Sequence, residues 1–145
     1  MKTLELKDIC GYLPYGLKFL SDYFSTPHEI VSIDLTDNTA DFSNNCGYTN
    51  KSLGEVKPIL RPMSDLTKEI THRGEKFVPL GVLNNRGHFI EFDATGMLYT
   101  TASCIDSDWP MVFDKFHEWM FDYRGLISAG LAIDVNTLPE NPYEL

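Results

Sequence analysis

The stretch Lys57–Ile70, KPILRPMSDLTKEI, constrains the fold of this chain more than any other. Val56, Ile59 and Leu60 lie on either side of Pro58. Such a run reads as an edge or terminal strand, because proline has no N–H to give to a ladder. Pro62 fixes its own φ and pushes Arg61 out of the helical region, so the strand has to stop there. Ser64 or Asp65 can then cap a helix with a side-chain oxygen. Leu66 and Ile70, four apart, would share one face of that helix. A strand-to-helix corner is therefore expected here, with Arg61 the one residue given no structural task.

The segments on either side read as short elements. Leu4–Leu13 carries Leu4, Leu6, Ile9 and Leu13, a pattern for a short N-terminal helix that Gly11 weakens and Pro14 ends. Leu17–Tyr23 and Glu29–Leu35 read as strands, with Thr26-Pro27 as the turn between them. Ala40–Ser43 reads as a further short strand, and Asn44–Ser52 as a loop. Arg73-Gly74 is a turn. Phe77–Leu83 is open between strand and short helix, since Pro79 disfavours a central strand and suits a first helical turn. Asn84–Gly87 reads as a turn, and His88–Asp93 with Met97–Ala102 as a hairpin.

The strongest periodic signal is Trp109–Tyr123. Trp109, Val112, Phe113, Phe116, Met120 and Tyr123 recur three and four apart and form one apolar stripe. Asp108 is its expected N-cap, Pro110 sits near its first position, and Gly125 is its expected stop. Asp114, Lys115, Glu118 and Asp122 lie off the stripe. Ala132–Val135 is a final strand or an extended tail, and residues 139–145 are expected to fray. These elements predict a single α+β domain over residues 1–145. A small antiparallel sheet, partly curled toward a barrel, would pack against a long C-terminal amphipathic helix. Short N-terminal and corner helices complete it.

Charge and cysteine content narrow the function classes. The 145 residues carry a net charge of −9. Residues 101–145 hold 8 acids against only Lys115 and Arg124. A phosphate-binding surface needs clustered cations, so generic duplex nucleic-acid binding is disfavoured. An acidic surface can instead meet a basic partner or simply aid solubility. Cys10, Cys46 and Cys104 are odd in number and far apart, as free thiols in a reducing compartment would be. With no apolar run of membrane-spanning length and no signal-like N-terminus, a cytoplasmic location is expected.

Few residues combine into chemistry. His28, His72, His88 and His117 never stand three or four apart, and no CxxC or HExxH occurs, so no metal is expected. Asp106-Ser107-Asp108 resembles part of a calcium loop but lacks its glycine and distal glutamate. No phosphate-cradling glycine loop is present, and no cofactor is expected. A hydrolase would have to use Cys104 or Asp106 with His72, His88 or His117. A single-strand nucleic-acid module would have to stack bases on Tyr12, Tyr15 and Phe19, although such aromatics more often fill a core. Tyr12 and Tyr15, flanking Pro14, could form an exposed corner for a protein partner. Arg61, Asp106 and Asp108 join them as candidate contacts.

Tyr12–Lys18 (YLPYGLK), Ile59–Ile70 (ILRPMSDLTKEI), Gly74–Pro79 (GEKFVP) and Gly125–Leu138 (GLISAGLAIDVNTL) span most of the chain in order. Together they resemble a family of small uncharacterised proteins from gut Bacteroidetes genomes, their prophages and other mobile elements. The resemblance implies a bacterial cytoplasm and a phage or mobile-element gene. It brings no activity, cofactor or catalytic residue with it. The expected role is that of a non-enzymatic accessory protein acting on another protein. One version is an acidic inhibitor of a host defence factor that mimics nucleic acid with the acids of residues 106–144.

Overall fold

The computed structural model describes residues 3–42, 51–85, 90–92, 98–100 and 109–145. Helix α1 (Leu6–Ile9) is a single turn, closed at its start by Asp8, whose carboxylate accepts from the Glu5 N–H at 3.0 Å. The expected helix to Leu13 breaks up at Cys10, and Pro14 lies inside a separate 3-10 turn, Leu13–Tyr15. Gly16, at φ 82°, releases the chain from that turn into β1 (Phe19–Ser21). β2 (Phe24–His28) and β3 (Ile30–Asp34) follow. Thr26-Pro27, expected as a turn, lies within β2. Proline is tolerated there because β2 is an edge strand, paired only to β1.

β4 (Thr39–Phe42), β5 (Lys51–Ser52) and β6 (Val56–Leu60) complete the N-terminal strands. β6 is not the edge its proline suggested. It pairs antiparallel with β1 and parallel with β11 (Ile133–Asp134). The Ile59 N–H reaches the Lys18 carbonyl at 2.9 Å, toward β1. The Pro58 nitrogen therefore faces the other side, where β11 starts only opposite Ile59. A two-residue neighbour makes room for a proline in an interior strand. The four-stranded order is β11-β6-β1-β2, and β3-β4-β5 form a separate antiparallel sheet. With two further hairpins the described strands fall into four sheets, and no barrel closes.

The corner after Pro62 is a 3-10 turn, Met63–Thr67, not an α-helix. Neither Ser64 nor Asp65 caps it. Asp65 accepts from Asn136 Nδ2 at 2.8 Å and lies 3.5 Å from the Lys68 ammonium. Ile70 already belongs to β7 (Ile70–His72), which returns through Arg73-Gly74 to β8 (Glu75–Phe77). Both turn residues have positive φ, 50° and 82°, as a two-residue hairpin of this twist demands. Phe77 ends β8, and Pro79 opens α2 (Pro79–Asn85), which resolves the open reading of that stretch. β9 (Ile90–Phe92) and β10 (Leu98–Thr100) pair antiparallel as the hairpin reading expected.

Helix α3 (Trp109–Glu118) is three turns long and stops five residues before the expected end. Its terminus is a Schellman motif with Met120 in the left-handed position, φ 63°. The Phe121 N–H bonds Phe116 O at 2.8 Å, and the Met120 N–H bonds His117 O at 3.2 Å. The Phe121 and Phe116 rings meet across the motif. Gly125 adopts φ 73° but ends no helix.

Two apolar cores result. One gathers Ile9, Leu17, Phe19, Val56, Ile59 and Leu60 around the four-stranded sheet. The other gathers Leu66, Ile70, Leu83, Val112, Phe116 and Trp119. The stripe of α3 therefore covers the 3-10 corner, β7 and α2, not the main sheet as expected. At the reversal after α3, Trp119 and Phe121 enter the second core and Met120 the first. Residues 139–145, expected to fray, are docked. Tyr143 is buried, its hydroxyl donates to Ile59 O at 2.8 Å, and it accepts from the Lys18 N–H at 2.9 Å. The Arg73 and Gly74 N–H groups bond the Tyr143 and Glu144 carbonyls.

Candidate functional site

Among the described residues, Arg61 is the centre of an unusual arrangement. Its extended backbone, set by Pro62, bridges Phe121: the Arg61 N–H donates to Met120 O, and the Asp122 N–H to Arg61 O. Its side chain turns inward and is 2% exposed. Nε donates to Trp119 O at 3.1 Å, and Nη2 to Thr71 O at 3.0 Å. A cation at the C-terminus of α3 also meets the negative end of the helix dipole. The residue without a task thus ties β6, the end of α3 and β7 together.

His72 shares this node. Its Nδ1 lies 3.4 Å from Arg61 Nη2. A guanidinium can only donate, so Nδ1 accepts and Nε2 carries the proton of a neutral ring. Burial, then the nearby Arg61 and Arg73 charges, hold the ring's pKa down to about 4. The Glu118 charge, and after it the Glu118 carbonyl, act against that shift, yet among the described residues Nε2 reaches no hydrogen bond. Burial pushes the Tyr143 phenol far above its ordinary value and lowers that of Arg61.

A cleft of about 370 Å³ opens beside Arg61. Asp65, Lys68, Glu69, Thr71, Asn136 and Glu144 share its walls. The arrangement offers a buried cation below and exposed carboxylates of Glu69 and Glu144 above.

A second polar node stands on the other side of the reversal. Tyr12 is 1% exposed, and its hydroxyl donates to Phe121 O at 2.5 Å. Its ring meets His117 edge-on, and His117 Nε2 is 2.6 Å from the Tyr123 hydroxyl. A Cβ at Gly11 would lie 2.4 Å from that Nε2, so only glycine lets the ring settle there. Burial lowers the His117 pKa. Arg124 Nη1 stands 3.5 Å from the buried carboxylate of Asp8.

Of the candidate contacts, Tyr12 and Arg61 are therefore interior residues. Tyr15 is half-buried, and its carbonyl accepts from Arg73 Nη2. Asp106 and Asp108 lie outside the described residues, as do Cys104 and His88. His72 and His117 are engaged in separate nodes. Tyr12 and Phe19 are core residues and cannot stack a base from where they sit. Among the described C-terminal acids, the Asp122 carboxylate is buried and accepts from the Leu126 and Ile127 N–H groups at 2.8 and 2.9 Å. Asp134 caps Asn136, and Glu118 pairs with Lys115.

A further acidic region lies between β1 and β6. Between Phe19 and Val56 there are six acids and one lysine, Lys51. Within this region β3 takes β4 on one side and no described strand on the other. Val31 is 65% exposed and Leu35 74%. The apolar residues of this stretch mark β3 as a strand in the sequence, but Val31 and, just past the strand, Leu35 find no core to enter.

Among the described residues no group of three or more His, Cys, Asp or Glu side chains could hold a metal ion, and no helix is long and apolar enough to cross a membrane. No family model, curated protein or solved structure matches the chain.

Proposed function

We propose that this protein acts by binding another protein, taking an extended segment along the outer edge of β3. The observation that carries the reading is that edge. It carries the exposed Val31 and Asp34, with the exposed Leu35 and Asp37 in the turn just beyond its end. A free strand edge offers main-chain hydrogen bonds to an added strand, and the side chains beside it select the sequence. Here they favour a partner strand that alternates apolar and basic residues. The mobile-element context implied by the sequence motifs makes a bacterial host factor the class of protein to which that strand would belong. The acids that matter on this reading are those around β3, not those of residues 106–144.

Fluorescence anisotropy with a labelled alternating lysine–valine peptide tests it. Saturable binding that weakens with salt is expected, with no binding of the glutamate–valine counterpart. Val31→Lys should abolish the interaction while leaving the melting temperature unchanged. Equal binding of both peptides, or binding indifferent to Val31→Lys, overturns the reading.

A further inference from the structure

The Arg61 cleft is independent of the β3 edge and has its own electrostatic logic. A buried guanidinium is ordinarily matched by a carboxylate, because an unmatched charge in the interior is costly. Among the described residues, no carboxylate lies within ion-pair distance of Arg61. Its Nε and Nη2 serve the Trp119 and Thr71 carbonyls and His72. Nη1 makes no hydrogen bond among the described residues, although a guanidinium has five N–H donors to place. Arg61 also lines the cleft, so the donors left over border a space that a small molecule can enter.

The walls decide the kind of molecule. Asp65 is already committed: one oxygen faces the Lys68 ammonium and the other accepts from Asn136. That pair is close to neutral. Glu69 and Glu144 are exposed, line the same cleft, and have no ion-pair partner among the described residues. The cleft is therefore positive at its floor and negative at its rim. A simple anion would meet two carboxylates on the way in, and a simple cation would meet Arg61 at the bottom. A molecule carrying both charges a short distance apart meets neither obstacle. The volume, about 370 Å³, lies at the small end of the range for small-molecule sites.

We propose that this cleft binds a small zwitterion of the α-amino-acid class, its carboxylate inward on Arg61 and its ammonium outward on Glu69 and Glu144. Carboxylate on guanidinium can be bidentate, which fixes the orientation of the ligand. Asn141, at the same mouth, belongs to the docked C-terminal segment, so the site is complete only with that segment in place.

Titration of the ¹⁵N-labelled protein by NMR, at constant ionic strength, tests this with three probes: L-alanine, sodium acetate and ethylammonium chloride. L-alanine should give saturable shifts at Thr71 and Asn136 with a millimolar dissociation constant, and the other two should bind at least about tenfold more weakly. Glu144→Gln, an exposed change that keeps the fold, should weaken L-alanine binding severalfold. Acetate binding as well as L-alanine would make this an anion site and overturn the proposal. So would L-alanine affinity unchanged in Glu144→Gln, or no saturable shift with L-alanine up to about 100 mM.

Discussion

The two polar nodes flanking the end of α3 solve one problem by different chemistry. Three successive carbonyls, Trp119, Met120 and Phe121, are left over where the helix reverses. Arg61 takes the first with Nε and the second with its backbone N–H, and Tyr12 takes the third with its hydroxyl. The guanidinium also reaches Thr71 O, so one side chain joins three elements, at the expense of burying a charge. The phenol joins two elements and buries none. The difference teaches where the molecule is brittle. The charged node concentrates many dependencies in one residue, whereas the neutral node spreads them over Tyr12, His117, Tyr123 and Gly11.

The sharpest way to break that contrast is Arg61→Ala. It strips two buried carbonyls of their donor and opens a void between the cores. Each unpaired buried group costs about 1–3 kcal/mol, so a loss of about 4 kcal/mol is expected in urea unfolding. A loss below about 1 kcal/mol would mean that the node does not join the two cores.

The second test is pH, and it reads His72. The ring is neutral when folded, with a pKa near 4, against an ordinary value of 6.5. Between those values the unfolded chain binds more protons, so stability is full above pH 6.5 and falls as pH drops toward 4. The fall from this group reaches about 3 kcal/mol. His117 contributes with the same sign, since its pKa is also lowered. Chemical denaturation from pH 7.5 to 4 measures the slope, and His72→Phe should flatten most of it.

A smaller effect belongs to the neutral node. Tyr12→Phe keeps the ring and removes one of two donors to Phe121 O, the Tyr123 N–H remaining at 3.1 Å, for an expected loss of about 1.5 kcal/mol by thermal unfolding. The comparison fails if this variant is as damaging as Arg61→Ala.

What could be read from the chain follows the same division between local and distant. β1, β3 and β4, the Arg73-Gly74 turn and the stripe of α3 are local patterns of alternation, φ preference and 3.6-residue spacing. The structure keeps them. The misreadings at Pro58, at the end of α3 and at the C-terminus depend on partners far away in sequence. Pro58 sits inside a sheet because β11, some 75 residues later, covers only Ile59 and Leu60. α3 stops at Glu118 because donors at Arg61 and Tyr12 wait for the next carbonyls. Residues 139–145 dock because Tyr143 finds Ile59 O and the Lys18 N–H. Arg61 was legible as a residue without a local role, which is how a long-range one looks from sequence. The β3 edge was half legible: its alternation marked a strand, but nothing in it told which side stays open.

The least of these effects tests the neutral node from outside. Glycine at position 11 weakens a helix by propensity, and its function in the fold is to leave room. Gly11→Ala places a methyl where the His117 ring lies, and the ring has to rotate away from Tyr123. The expected loss is about 1 kcal/mol, one hydrogen bond and some packing. His117→Ala should cost a similar amount by removing the same contact. The informative variant combines them: with no ring to displace, the alanine at position 11 is harmless or slightly favourable, since it restricts the unfolded chain. A double-mutant cycle by thermal unfolding should therefore show coupling of about 1 kcal/mol, the double variant being no less stable than His117→Ala alone. Strict additivity would place the cost of Gly11→Ala in the backbone of the α1 corner, and the neutral node would then rest on Tyr12 alone.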